Sequence, residues 1–258
     1  MNKTIIVTGG SQGLGKCIAL NLLNNYPTAN VVVVARNKKM LQEFEDTLDE
    51  EKRARTLIIV GDVTELSTVQ HTIEGSIGKF GSIDGVVFNA GVIEPVGHLY
   101  DENYDIAAMK RLFDVNYFSI VLFLKELLCR VENDLNLVFV SSGASTRGID
   151  GWLAYGSSKA AVNHLCKQLH DEMFPRIKCV SIAPGVVNTD MQKVIREKLG
   201  NVMSAEAHNR FMQLHQNGEL LDGMIVGKVY AKQVMEGIEN TVLGQYIRWN
   251  DERLKALN

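Results

Sequence analysis

Tyr155 stands four residues before Lys159 in the stretch Tyr155-Gly156-Ser157-Ser158-Lys159, and Ser142 lies thirteen residues upstream of the tyrosine. On a helix, positions i and i+4 share a face, so the lysine ammonium can lie beside the phenol. A phenol with a pKa near ~10 exchanges protons poorly at neutral pH, whereas a neighbouring cation stabilises its phenolate. The spacing therefore predicts acid/base chemistry, with Lys159 lowering the pKa of Tyr155.

A second chemistry-bearing stretch is Thr8-Gly9-Gly10-Ser11-Gln12-Gly13-Leu14-Gly15, which follows an apolar strand-like run and opens a helical pattern. Gly9 lets the chain turn sharply, Gly13 lets backbone approach a pyrophosphate, and Gly15 permits close helix–strand packing. The next apolar run ends in Ala35-Arg36-Asn37-Lys38-Lys39, with no acid and three cations in four residues. A carboxylate there would bind a ribose 2'-OH; a guanidinium instead accommodates a 2'-phosphate, which makes Arg36 a candidate for NADP(H) recognition.

These residues must be positioned by a larger scaffold. Short β-branched runs at 4–8, 31–35, 57–60, 85–88, 137–140 and 179–182 alternate with helical patterns at 14–25, 38–50, 65–79, 105–131, 155–173 and 228–238. That alternation predicts βαβ units around a doubly wound parallel sheet of Rossmann type, and near-continuous apolar strands imply helices on both faces. A final run at 245–249 adds an edge strand, making about seven, and the 105–131 stretch reads as two helices or one bent one. The 258 residues are expected to form one domain, in which only 190–225 breaks the rhythm, as an insertion that could form a substrate lid.

Composition narrows the function. A net charge of −3 without a basic block gives no reason to bind nucleic acid or anionic membrane. No apolar run is long enough to span a bilayer, and no signal-like segment precedes the first strand, so a cytoplasmic protein is expected. The four cysteines and six histidines lack ligand spacing, so the thiols read as free and buried and no metal site is expected. A small-molecule partner is the remaining class.

The ordered set Thr8-Gly9-x-x-x-Gly13-Leu14-Gly15, Asp62-Val63, Asn89-Ala90-Gly91, Asn116, Ser142, Tyr155-x-x-x-Lys159 and Pro184-Gly185-Val186-Val187-Asn188-Thr189 resembles the short-chain dehydrogenase/reductase family over essentially the whole chain. The resemblance implies cofactor contacts from Gly9, Ser11, Gly13, Leu14 and Gly15, from Arg36 and Asn37, and from Asp62 and Val63 at the adenine. It implies that Asn89, Ala90 and Gly91 lie by the cofactor ribose, and that Pro184, Val187 and Thr189 pass over the nicotinamide. Tyr155 is implied as general acid and Ser142 as the hydrogen-bonding partner of the substrate oxygen. Lys159 would bind ribose hydroxyls, and Asn116 would mark the position of a water that resupplies protons. Two departures are Phe88, where many members have an Asn before Asn89, and Gln12, where many NADP-using members carry a basic residue. Asp62 could instead cap the following helix.

The Val-Ala-Arg ending of the second strand and Gly218-Glu219-Leu220-Leu221 resemble the sepiapterin reductase and benzil reductase branch, whose members reduce diketones with NADPH. Expected pocket walls are residues 144–146, Ile149, Trp152, Val186, Met191, Met203, Phe211 and Met212, a mostly apolar set that favours a hydrophobic or aromatic carbonyl compound. Alternatives are an alcohol or hydroxysteroid dehydrogenase of the same family working oxidatively, and a non-catalytic nucleotide sensor. Apolar positions in 118–128 and Ala160, Ala161, Val162 and Leu165 lead to the expectation of a homodimer, with a tetramer as the other possibility.

Overall fold

In a computed structural model that describes residues 2–254, seven strands form one sheet in the order β3-β2-β1-β4-β5-β6-β7, every neighbouring pair parallel. The strands are β1 (Lys3–Thr8), β2 (Ala29–Ala35), β3 (Thr56–Val60), β4 (Gly85–Phe88), β5 (Leu135–Val140), β6 (Ile177–Ala183) and β7 (Tyr246–Arg248). Because successive side chains alternate faces, Ile5 and Val7 of β1 join one apolar cluster while Ile6 joins the other; Val31/Val33 and Val32/Val34 of β2 divide in the same way. Continuous hydrophobic runs are thus what a sheet covered on both sides requires.

The helices are α1 (Gly13–Asn25), α2 (Lys38–Asp46), α3 (Glu50–Ala54), α4 (Leu66–Phe80), α5 (Ile106–Phe113), α6 (Ser119–Leu128), α7 (Leu153–Met173), α8 (Asp190–Lys198), α9 (Ala205–Gln216) and α10 (Gly223–Glu236). One sheet face buries Ile18 and Leu22 of α1 with Tyr230 and Val234 of α10. The other buries Val69 and Ile73 of α4, Phe123 and Leu127 of α6, and Val162 and Cys166 of α7. β1 lies between β2 and β4, so the chain winds outward in opposite directions from this point and opens a crevice at the carboxyl ends of the two central strands.

Several boundaries differ from the sequence expectation for local reasons. The 38–50 pattern splits because Asp49 accepts a hydrogen bond from the Lys52 N–H at 2.8 Å and starts α3 as a separate helix. The 105–131 stretch is α5 and α6 joined by a π-helical turn, Asp114–Phe118. Segment 190–225 holds α8, α9 and the first residues of α10, and a bridge between Val187 and Leu221 ties its ends. The thiols are free but not all buried: Cys166 and Cys179 are, Cys17 partly so, and Cys129 is exposed. Among the described residues, no helix is long and apolar enough to cross a membrane.

Candidate active site

The crevice is a cleft of about 460 Å³ that runs from the glycine turn after β1 to the segment after β6. Its nucleotide end is shaped by backbone. The Thr8 hydroxyl accepts the N–H groups of Asn89 and Ala90, both at 3.0 Å, and Asn89 Nδ2 donates to the carbonyls of Thr8 (2.9 Å) and Gly9 (3.1 Å). This exchange holds the β1 and β4 turns together. Gly9 adopts φ +66°, a left-handed conformation, and a Cβ there would come within 2.9 Å of Ala90 Cα. At Gly15 a Cβ would lie 2.4 Å from both the Gly9 oxygen and Asn89 Nδ2, so this glycine serves packing and does not line the cleft. Gln12, at the N-cap of α1, makes no side-chain cap, which leaves the first N–H groups of that helix available to an anion beside Ser11, Gly13 and Leu14. A dinucleotide phosphate fits this cradle.

At the adenosine end, Arg36 Nη1 is 3.6 Å from Asp62 Oδ2, with the arginine side chain 63% exposed toward solvent. Asp62 Oδ1 accepts from the Thr64 N–H (3.0 Å) and hydroxyl (2.9 Å), so it closes a turn ahead of α4 rather than capping the helix, whose N-cap is Glu65. Asn37 caps α2 through the Met40 N–H at 3.1 Å. Arg36, Asn37, Asp62 and Val63 all line the cleft.

At the opposite end, Ser142 follows β5 and accepts from the Ala144 N–H at 3.1 Å, which orients its hydroxyl at the start of a 3-10 turn. Tyr155 and Lys159 lie two and six residues into α7, with the Ser142 hydroxyl close enough to the Tyr155 phenol to act on it. Lys159 Nζ sits 5.9 Å from the centre of the Tyr155 ring and donates to the Val140 carbonyl at 2.8 Å. Contrary to the expectation, the Tyr155 pKa is not lowered overall. Burial pushes Tyr155 up to about 12, opposed only by its interaction with Ser142, while burial brings Lys159 down to about 8. Desolvation acts on both side chains, and the ammonium spends its short contact on a carbonyl.

Asn116 is fully buried in the π turn and does not line the cleft. Its Oδ1 accepts the Val92 N–H at 2.8 Å, and its Nδ2 donates to the Val92 carbonyl (2.9 Å) and the Ser158 hydroxyl (3.1 Å). Both Asn116 Oδ1 and Lys159 Nζ approach Gly91, where a Cβ would meet them at 3.3 and 3.4 Å. Asn163, one helical turn beyond Lys159, was missed by sequence reasoning. Its Oδ1 accepts the hydroxyls of Ser141 (2.6 Å) and Ser181 (2.7 Å), and its Nδ2 donates to Ser145 (2.8 Å), fixing the Ser142 turn against β6 and α7. The i+4 step from Lys159 was the signal that could have revealed it.

The profile of the family described as short chain dehydrogenase matches residues 3–200. A benzil reductase of Saccharomyces cerevisiae that forms (S)-benzoin is 40% identical over 261 residues, covering 98% of each chain. The chain belongs to the short-chain dehydrogenase family. A short-chain dehydrogenase/reductase structure from the same yeast superposes with a TM-score of 0.92 at 40% identity, covering 98% of each chain. The structure of the KRED1-Pglu enzyme gives 0.90 at 42% identity, covering 95% of this chain and all of that one. The protein is therefore an oxidoreductase of CH–OH and carbonyl groups, with a nicotinamide dinucleotide as its cofactor class.

In this short-chain dehydrogenase, the wall beyond Tyr155 is partly as expected. Ala144, Ile149, Trp152, Val186, Met191 and Phe211 line the cleft. Trp152 stands edge-on to Tyr155 (5.5 Å, 90°) and stacks on Phe211 of α9 (5.4 Å, 8°). Met203 lies behind that wall in the apolar cluster, and Met212 does not line the cleft. The apolar expectation omitted three cations: Arg147, Arg210 and Arg248 also line the cleft. No sequence signal unites them, because each belongs to a different element.

Proposed function

We propose that the chain is an NADPH-dependent carbonyl reductase acting on hydrophobic or aromatic ketones and diketones of the benzil kind. The observation that carries this reading is the meeting of Ser142, Tyr155 and Lys159 at one end of the cleft whose other end presents Arg36. The nicotinamide, when bound, supplies the hydride. Tyr155 keeps its proton at neutral pH because burial disfavours the phenolate, so it can give that proton to the oxygen of the ketone. Ser142, its Oγ anchored on the Ala144 N–H, retains a hydroxyl hydrogen for the same oxygen, where negative charge develops in the transition state. Lys159, with its pKa brought down to about 8, is mainly cationic at pH 7 and favours the transient tyrosinate that proton donation creates. Asn116 has its side-chain atoms committed to Val92 and Ser158, so it positions α7, and a water at this point would rest on backbone.

The NADPH preference rests on Arg36 and on the lack of an acid at the end of β2. The benzil-like substrate rests on the aromatic wall of Trp152 and Phe211 and on the activity named for the yeast relative. We further read 1–258 as one domain with 190–225 as its substrate lid, and the protein as a cytoplasmic homodimer. Phe118, Val121 and Leu153 remain exposed, whereas Val162 is buried in the core. The test is benzil reduction followed by absorbance with NADPH and with NADH. Benzil turnover favouring NADPH is expected; equal rates with both cofactors would sink the NADP assignment, and no turnover of benzil would sink the benzil-like substrate.

A further inference from the structure

Arg147 follows the 143–145 turn, Arg210 belongs to α9 and Arg248 ends β7, yet all three line the cleft that holds Ser142 and Tyr155. The Arg147 guanidinium lies beside that turn, 3.8 Å from where a Gly143 Cβ would stand. Arg210 precedes Phe211, the ring stacked on Trp152. The three are near enough to feel one another: partial burial and then the charges of Arg147 and Arg248 lower the Arg210 pKa. Among the described residues, no carboxylate forms an ion pair with any of them. Among the described residues, the only acids lining the cleft are Asp62, paired with Arg36, and Asp190. Three like charges gathered in one cleft repel, and an anion placed between them reverses the sign of that interaction. The phosphates of a dinucleotide are accounted for elsewhere, by the α1 N-terminus and by Arg36.

We propose that the preferred substrate is a ketone bearing an anionic group, a carboxylate or a phosphate, which Arg147, Arg210 and Arg248 hold while its carbonyl oxygen meets Ser142 and Tyr155. This rests on the carbonyl reductase reading and adds a charge requirement to it. Guanidinium groups suit both anions because their paired N–H donors match two oxygens at once. A neutral diketone fills only the aromatic part of the site.

The test compares phenylglyoxylate with its methyl ester, two aromatic ketones that differ mainly in charge, and adds phenacylphosphonate as the phosphate arm. The expected kcat/KM for phenylglyoxylate exceeds that for the ester by about tenfold or more. That advantage shrinks as salt rises from about 20 mM to about 500 mM, since exposed charges are screened. Arg147→Ala and Arg210→Ala lower the acid-to-ester ratio about tenfold each, chiefly through KM. Whichever of phenylglyoxylate and phenacylphosphonate gives the higher kcat/KM identifies the anionic group. Calorimetric titration of phenylglyoxylate into the NADP-saturated protein and both variants supplies a readout independent of turnover.

A ratio near one, or a ratio unmoved by the arginine variants, overturns the proposal. If benzil is reduced while phenylglyoxylate neither binds nor outpaces its ester, the anion site alone fails. If no ketone is reduced yet phenylglyoxylate binds in an arginine-dependent way, the reductase reading fails and the anion site stands.

Discussion

At the glycine-turn end of the cleft, backbone lines the site and is held in place by the Thr8 hydroxyl, the Asn89 amide and glycines with no room for a Cβ. At the Tyr155 end, the cleft is lined instead by side chains from the turn after β5 and from α7, α9 and β7. Backbone recognition suits a ligand common to many related enzymes, because most residue types leave it intact except at the glycines and at the Thr8 and Asn89 side chains that brace the turns. Side-chain recognition allows the other end to change its ligand by exchanging an arginine or an aromatic residue on an element whose fold is secured elsewhere.

This contrast can be broken most severely at Tyr155. Tyr155→Phe removes the proposed proton donor and is expected to lower benzil turnover by about 10³-fold, while NADPH affinity, measured by fluorescence titration, stays within about twofold. Turnover within tenfold of the original would show that the phenol is not the acid.

Next comes Lys159, which is 3% exposed, and whose folded-state pKa of about 8 lies below its ordinary value of 10.5. The unfolded chain therefore holds a proton that the folded chain loses between those two pH values. The lysine's burial cost is fully present below about pH 8 and is relieved as pH rises through that window. Relative to Lys159→Met, the unmodified protein should gain roughly 3 kcal/mol between pH 8 and 10.5, read by urea unfolding. Parallel stability curves would mean that the ammonium is solvated.

At the nucleotide end, Arg36→Ala should weaken NADPH binding by about 10- to 30-fold and leave NADH binding nearly untouched. Equal losses for both cofactors would assign Arg36 to the adenine or to the fold. The smallest effect belongs to Phe211→Leu, which removes the ring stacked on Trp152 and should raise the KM for benzil about 3- to 10-fold without changing the Kd for NADPH. A shifted NADPH Kd would blur the division between the two ends.

Much of the scaffold was legible because alternating apolar runs and helical patterns are local properties of the chain. β4 was read to the residue, and the other strands to within one or two. Breaks that depend on one cap, such as the Asp49 start of α3, escaped the periodicity because the apolar pattern continues across them. The Tyr155–Lys159 pairing was readable from i+4 spacing, but its electrostatics were not, because burial rather than the neighbouring charge dominates both groups. The same i+4 step carried one turn further reaches Asn163, which went unread because the three serines that it joins come from β6, the end of β5 and the turn that follows it.

The sequence by itself determined the family, the parallel sheet, the glycine turn and the residues able to exchange a proton, since each depends on spacing within a few turns of chain. Tertiary structure alone decided how those groups titrate, what Asn116 is free to do, and that Arg147, Arg210 and Arg248 share one cleft. The physical reason is distance along the chain. Desolvation and charge clustering depend on neighbours brought together by the fold, and those neighbours leave no periodic mark in the sequence.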